Sequence, residues 1–212
     1  MEPKQKMEPG PGFRLLLPPS ARNKKWRYIP NMKESPNATR KLALAAVTAA
    51  AYAALTLFLA PISFSNVQFR ISEVLCILPW FFPCTAQGLF VGCIVANLLS
   101  PMGISIFDVV FGSLATLGAG LMTARLGKKE HTLKNQILAC LMPVIFNAVI
   151  VGAVLTWAYE IFIVPDNALL SYLVNGALVG FGELVVLFVL GLPLMRWLPR
   201  QDFFREQLRK FQ

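Results

Sequence analysis

The sequence predicts an all-α protein, a bundle of six membrane-spanning helices with both termini on the cytoplasmic side. Three observations carry that prediction. The chain of 212 residues is 56% hydrophobic and only 15% charged, with a mean hydropathy of +0.57, which is less charge than a soluble domain of this size carries. Its apolar stretches are too long and too uniform for the core helices of a soluble fold. Finally, nineteen of the twenty Lys and Arg residues fall in three clusters: ten in residues 1–41, four in 125–134 and five in 196–210. Basic residues retained on the cytoplasmic side set how a multi-pass chain is threaded, so the clusters give a topology and leave Arg70 as the one isolated cation. The net charge of +9 flanks apolar stretches instead of forming a basic face. That argues against a nucleic-acid partner and for contact with the lipid bilayer.

Taken in order, residues 1–37 read as a disordered, basic cytoplasmic extension, charged and rich in proline. Its one apolar piece, Leu15–Leu17, is too short for a signal peptide. The membrane domain spans 38–198. Span 1, Leu42–Ile62, is uncharged and rich in alanine. The next stretch, Ile71–Leu99, carries a single charge, Glu73; it is too long for one comfortable crossing and short for two. One crossing there gives five in all and leaves two basic clusters outside. Two short crossings give six and bring all three clusters inside. Pro79, Pro83 and the stretch 82–87 supply the break, so span 2 is Ile71–Phe82 and span 3 is Ala86–Leu99. Span 4 follows at Phe107–Ala124, span 5 at Ile137–Tyr159 and span 6 at Leu170–Met195. Residues 63–70, 100–106 and 160–169 are then external. Residues 199–212 form a basic amphipathic cytoplasmic tail, with Phe203, Phe204, Leu208 and Phe211 among its charges.

Enzyme and metal chemistry find little support. Cys76, Cys84, Cys93 and Cys140 lie in apolar stretches without metal or redox spacing. His131, the single histidine, has no ligand partners nearby. Gly127-Lys128 lacks the remainder of a phosphate-binding loop. The chain therefore reads as a non-enzyme that holds no cofactor and hydrolyses no ATP through a P-loop.

Four charged residues lie within or at the edges of the apolar region: Arg70, Glu73, Asp108 and Glu183. Each is unfavourable in hydrocarbon by roughly 2.5–3.5 kcal/mol and so faces a bundle interior, a cavity or another charge. Glu183 lies deepest, beside Gly180 and Gly182, with no basic residue at its depth in sequence. A carboxylate so placed calls for a hydrogen-bonding ligand, a proton or a cation. Gln68, Asn97 and Asn175 add polar groups toward the outside, and Gln87 and Asn147 further in. A cavity opening outward and reaching toward Glu183 accounts for this set; pairing between helices accounts for Arg70 and Asp108 equally well. Small residues recur every four positions: Gly88, Gly92 and Ala96 in span 3; Gly112, Thr116, Gly120 and Ala124 in span 4. Span 1 carries two adjacent rows, Ala45, Ala49, Ala53 and Ala46, Ala50, Ala54, a broad flat surface suited to a partner helix.

An ordered string of motifs, Asn66-Val-Gln-Phe-Arg-Ile-Ser-Glu73, Leu78-Pro79, Gly88-Leu-Phe-Val-Gly-Cys93 with Ala96-Asn97, and Phe107-Asp108-Val-Val-Phe-Gly-Ser-Leu-Ala-Thr116, resembles the QueT family. Its members are substrate-binding (S) components of energy-coupling factor (ECF) transporters, associated with uptake of queuosine precursors. The resemblance covers about residues 42–198. It implies the ECF S-component type of six-helix bundle in the cell (plasma) membrane, with a substrate pocket in the outer half capped by loops. It also implies a transmembrane coupling subunit docked on the alanine rows of the first helix, and two partner ATPases that use ATP and Mg. The whole S component is then expected to topple in the membrane to release substrate. A 7-deazaguanine base presents an N–H beside an exocyclic NH2, which one carboxylate can accept. Glu183 is favoured for that role over Glu73. Asn97 or Gln68 is expected at the base carbonyl; Phe69, Phe107 or Tyr172 as a stacking ring; Asp108 at an aminomethyl cation; Arg70 as a lid latch to Asp108 or Glu73; and Asn175 on the pocket wall. An S component for a vitamin or another nucleobase, a small intramembrane enzyme using the three carboxylates, and a ligand-free assembly subunit remain as alternatives.

Overall fold

The computed structural model describes residues 36–63, 69–101, 105–129 and 132–211. The predicted N-terminal extension, apart from its last two residues, lies outside them. All regular structure among the described residues is helical. Helix α1 is Pro36–Phe58, α2 Ile71–Trp80 and α3 Thr85–Leu98. Helix α4 is Asp108–Gly127, α5 Leu133–Ala158, α6 Ala168–Arg200 and α7 Asp202–Phe211. Helices α1, α4, α5 and α6 are long and apolar enough to cross a membrane, whereas α2 and α3 are shorter apolar helices.

Several boundaries differ from the sequence reading, each for a local reason. Helix α1 starts at Pro36, a residue suited to a first helical turn because its missing N–H needs no partner there. It ends at Phe58, and a one-turn helix, Ala60–Ser63, follows around Pro61, which cannot donate to the preceding turn. Helix α2 is a 3-10 helix of ten residues with Pro79 inside it. At about 2.0 Å per residue it spans about 20 Å, against about 15 Å for the same residues in an α-helix. Its winding thus lengthens the segment whose residue count looked too small for a crossing. The threefold period also shows in burial: Glu73, Cys76 and Pro79 form one buried stripe and Val74, Ile77 and Trp80 another, while Leu75 and Leu78 are half-exposed.

Glycines set the closest helix approaches. A Cβ at Gly92 of α3 would stand 2.6 Å from the Ala49 carbonyl oxygen and 2.9 Å from the Tyr52 Cβ, and one at Gly88 would collide with the Ala45 carbonyl. The row Ala45, Ala49, Ala53 of α1 is therefore packed on α3, and the row Ala46, Ala50, Ala54 faces outward between Leu42 and Phe58. Helices α5 and α6 approach in the same way: a Cβ at Gly152 would lie 2.7 Å from the Gly176 Cα, and one at Gly176 2.8 Å from the Ala148 carbonyl oxygen.

One end of the bundle gathers the described basic residues other than Arg70. Trp80, Leu126, Met195 and Leu198 belong to one apolar cluster there, and Arg40 of α1 lines a groove with Phe203 and Phe211 of α7. The start of α1 and the end of the chain thus share an end. The tail predicted as amphipathic is the helix α7, whose Phe204 packs edge-on against Phe81 and Phe82.

Gly92→Leu is expected to destabilise the purified chain by about 2 kcal/mol or more through overpacking against α1. Ala50→Leu, on the outward row, is expected to change stability by no more than about 0.5 kcal/mol. Denaturant unfolding in detergent checks the pair, and equal losses would refute the packing described for α1.

Candidate functional site

The polar interior is built on α2. In a 3-10 helix, residues three apart eclipse one another, so Arg70, at the N-terminal boundary of α2, Glu73 and Cys76 follow one line. That line faces the interior: Arg70 is 2% exposed and Glu73 not at all. Burying a carboxylate this completely requires donors to both oxygens. Helix α1 supplies one from Tyr52, whose hydroxyl donates to Glu73 Oε1. The other comes from Cys76, whose thiol donates to Oε2 at 2.9 Å. Tyr52 belongs to a buried row with Thr48 and Thr56, and the Thr56 hydroxyl bonds the Ser72 hydroxyl at 2.7 Å. Arg70 lies within electrostatic reach of Tyr52, Cys93, Asp108 and Glu73.

Glu183 occupies the facing side of this interior. It is 1% exposed and lies within electrostatic reach of Glu73 and Arg70. Asn147 of α5 donates to its Oε1 at 2.9 Å. The glycine contact between α5 and α6 makes this possible, because Gly176, Gly180 and Glu183 share one face of α6 at helical spacing. Glu183 Oε2 and Asn147 Oδ1 have no hydrogen-bond partner among the described residues. Glu73 is thus closed by its own protein neighbours, whereas the Glu183–Asn147 pair presents two buried acceptors. Unmet acceptors of this kind carry a penalty of about 1–3 kcal/mol each, which a donor-bearing ligand relieves.

A second polar layer lies at the opposite end from the basic clusters. Asn97 of α3 donates to the Asp108 carbonyl oxygen at 2.9 Å, joining α3 to the π-helical first turn of α4, Asp108–Gly112. Tyr159, just past α5, donates to the Asp108 carboxylate. Asn175 of α6 donates to the Thr156 hydroxyl and to the Ile161 carbonyl oxygen, both at 2.9 Å. That amide ties α6 to the π-helical end of α5, Val154–Ala158.

The residues anticipated from sequence therefore separate into groups. Arg70, Glu73 and Glu183 converge in the interior, with Arg70 buried at the head of α2 and not on a surface loop. Asn97, Asp108 and Asn175 form the layer beyond them and are engaged in helix-to-helix bonds. The Phe107 ring is 46% exposed, Tyr172 stacks against Trp157 at 5.0 Å, and Phe69 is half-buried. Gln68 lies outside the described residues. Tyr52, Cys76 and Tyr159 were not anticipated, and Asn147 was seen only as a polar residue within span 5. A signal for Tyr52 was present in the Thr48, Tyr52, Thr56 spacing, a polar row inside an otherwise apolar helix.

The QueT transporter family model matches residues 42–200, well over half of the chain. No curated relative and no solved structure matches it. The chain belongs to the QueT transporter family, and with four helices long and apolar enough to cross a bilayer it is a multi-pass membrane transporter. A transporter family agrees with the reading of the chain as a non-enzyme.

Tyr52→Phe leaves Glu73 short of one donor inside the bundle. The expected loss of stability is about 1–3 kcal/mol, read by denaturant unfolding, and larger than that of Ser72→Ala. A Tyr52→Phe chain as stable as the parent would mean that Glu73 does not depend on this hydroxyl.

Proposed function

We propose that this transporter is the substrate-binding S component of an ECF-type importer, which captures a queuosine precursor, a 7-deazaguanine base, from outside the cell. The carrying observation is the pair of unpartnered buried acceptors, Glu183 Oε2 and Asn147 Oδ1. A 7-deazaguanine offers an N–H and an exocyclic NH2 side by side, and two adjacent acceptors suit that edge. A ligand N–H donated to a carboxylate at this position makes a charge-assisted bond, among the stronger kinds. Arg70 and Glu73 set the charge opposite this edge. Gln68 is the donor to the base carbonyl, because the Asn97 amide is engaged with Asp108 and Cys93. Asp108, held by Tyr159, faces an aminomethyl cation where the precursor carries one. Asn175 supports the wall, and Phe69 is better placed than the exposed Phe107 or the Trp157-stacked Tyr172 to cover the ring.

In this reading the chain crosses the plasma membrane six times with both termini cytoplasmic. The shared end of α1 and α7, and the basic residues gathered there, support an even number of crossings. The lengthened 3-10 form of α2 supports its counting as one of them. The outward row Ala46, Ala50, Ala54 receives the transmembrane coupling subunit, while Ala45, Ala49 and Ala53 serve the fold by packing on α3. Partner ATPases supply ATP and Mg chemistry, and this chain carries no cofactor of its own.

The test is thermal stabilisation of the detergent-purified chain by 7-deazaguanines, guanine and common vitamins, since a specific ligand raises the melting temperature by mass action. A shift with 7-deazaguanines alone is expected. Glu183→Gln is expected to weaken that binding roughly 10- to 150-fold, the equivalent of losing a charged hydrogen bond of about 1.5–3 kcal/mol, with an unliganded melting point near the parent's. A vitamin-only shift would overturn the substrate, and unchanged affinity in Glu183→Gln would overturn the site.

A further inference from the structure

The groove at the basic end of the bundle plays no part in the substrate site. It has a volume of about 450 Å³, within the range of about 300–1,000 Å³ typical of ligand pockets. One wall is α1, where Val47 is 66% exposed. The other is α7, which is held on Phe81 and Phe82 by its own Phe204 and Phe211, with ring centroids 5.0–5.5 Å apart. This aromatic cluster props α7 beside α1 without closing the space between them. The lining is apolar save for Arg40 and Gln207. Arg40 is the one charged residue of the lining, and on α7 Arg205 and Arg209 stand with the acids Asp202 and Glu206. Of the two acids on α7, Asp202 is paired with Arg205 at 3.2 Å.

We propose that this groove is a binding site for one anionic phospholipid. An acyl chain lies between Val47 and the Phe82–Phe204–Phe211 cluster, and the headgroup phosphate meets the Arg40 guanidinium, with the Gln207 amide as a second donor. The chemistry of the groove favours this occupant. An apolar slot at a membrane-facing helix, ending in a cation, matches a lipid tail ending in a phosphate, and basic pockets beside membrane helices bind acidic headgroups. An amphipathic helix with a basic polar face belongs at the same depth. The inference requires that the chain sits in a bilayer and is independent of the substrate assigned above.

The experiment is native mass spectrometry of the full chain from neutral detergent, offered phosphatidylglycerol and phosphatidylcholine with identical acyl chains. One phosphatidylglycerol is expected to be retained with a roughly fivefold preference, the effect of about one well-placed cation. Arg40→Gln removes the preference, while Lys41→Gln, altering a cation outside the groove, preserves it. Val47→Trp fills the slot and abolishes retention of either lipid, while stabilisation by a 7-deazaguanine persists if that substrate is bound. Should Val47→Trp fold poorly, Arg40→Gln against Lys41→Gln decides alone, because both side chains are exposed. Equal retention of the two lipids, equal effects of the two charge variants, or no retained lipid because a protein segment fills the groove would each overturn the proposal.

Discussion

The buried charge on α2 is the constraint on which the rest of the bundle depends. Arg70 and Glu73 sit inside a bundle whose helices are otherwise apolar enough for a bilayer. A carboxylate there is unfavourable by several kcal/mol unless both oxygens accept hydrogen bonds. Cys76 can reach Glu73 because α2 is wound as a 3-10 helix, which aligns residues three apart. Tyr52 can reach it because α1 lies close against α3, and α1 lies close because Gly88 and Gly92 present no Cβ. The small-residue rows and the polar interior thus express one requirement: backbones approach closely so that the ionic stripe on α2 is satisfied.

The two interior glutamates show how environment divides roles between identical side chains. Both are essentially unexposed. Glu73 has a donor on each oxygen from its own chain, so its carboxyl is fixed in position. Glu183 accepts from Asn147 on one oxygen, and its other oxygen and the Asn147 carbonyl oxygen have no partner among the described residues. Backbone irregularity follows the same geography. The π-helical turns at Asp108–Gly112 and Val154–Ala158 flank the outer polar layer, and a third, Leu187–Gly191, begins four residues after Glu183. Such turns insert an extra residue and re-aim neighbouring side chains, which is why they recur near functional sites.

Much of this was legible in the sequence, and what was not has identifiable physics. Charge clusters and apolar length identify the helices because the bilayer acts on residues one at a time. Glu183 stood out because depth follows from counting residues along a single helix. The rows of alanine and glycine were visible, but which alanine row meets the glycines depends on the rotation of α1, and that is set by Tyr52 finding Glu73 across 21 positions. Asn147 and Glu183 are 36 positions apart, so their pairing leaves no local signal. The 3-10 winding of α2 was masked by its composition, since Ile71–Trp80 is apolar enough to suit any helix; only the half-exposed Leu75 and Leu78, three apart, betray the period. Asn175 has the type and depth of a pocket residue, but its bonds from α6 to the end of α5 leave no local signal in the sequence.

The location of the candidate site follows from the same packing. Helices α1 and α3 are locked by Gly88 and Gly92, and α5 and α6 by Gly152 and Gly176. Glu73 takes its donors from α1 and from α2 itself, while Glu183 takes its donor from α5. The two carboxyl groups therefore belong to different closely packed groups, and electrostatic interactions reach from one group to the other, with Glu183 in range of both Glu73 and Arg70. Coulombic interactions fall off gradually with distance, whereas packed contacts forfeit about a quarter to a half of their attraction over a gap of about 0.5–1 Å. The Glu183–Asn147 acceptors belong to the second group, apart from the donors that hold Glu73 in place.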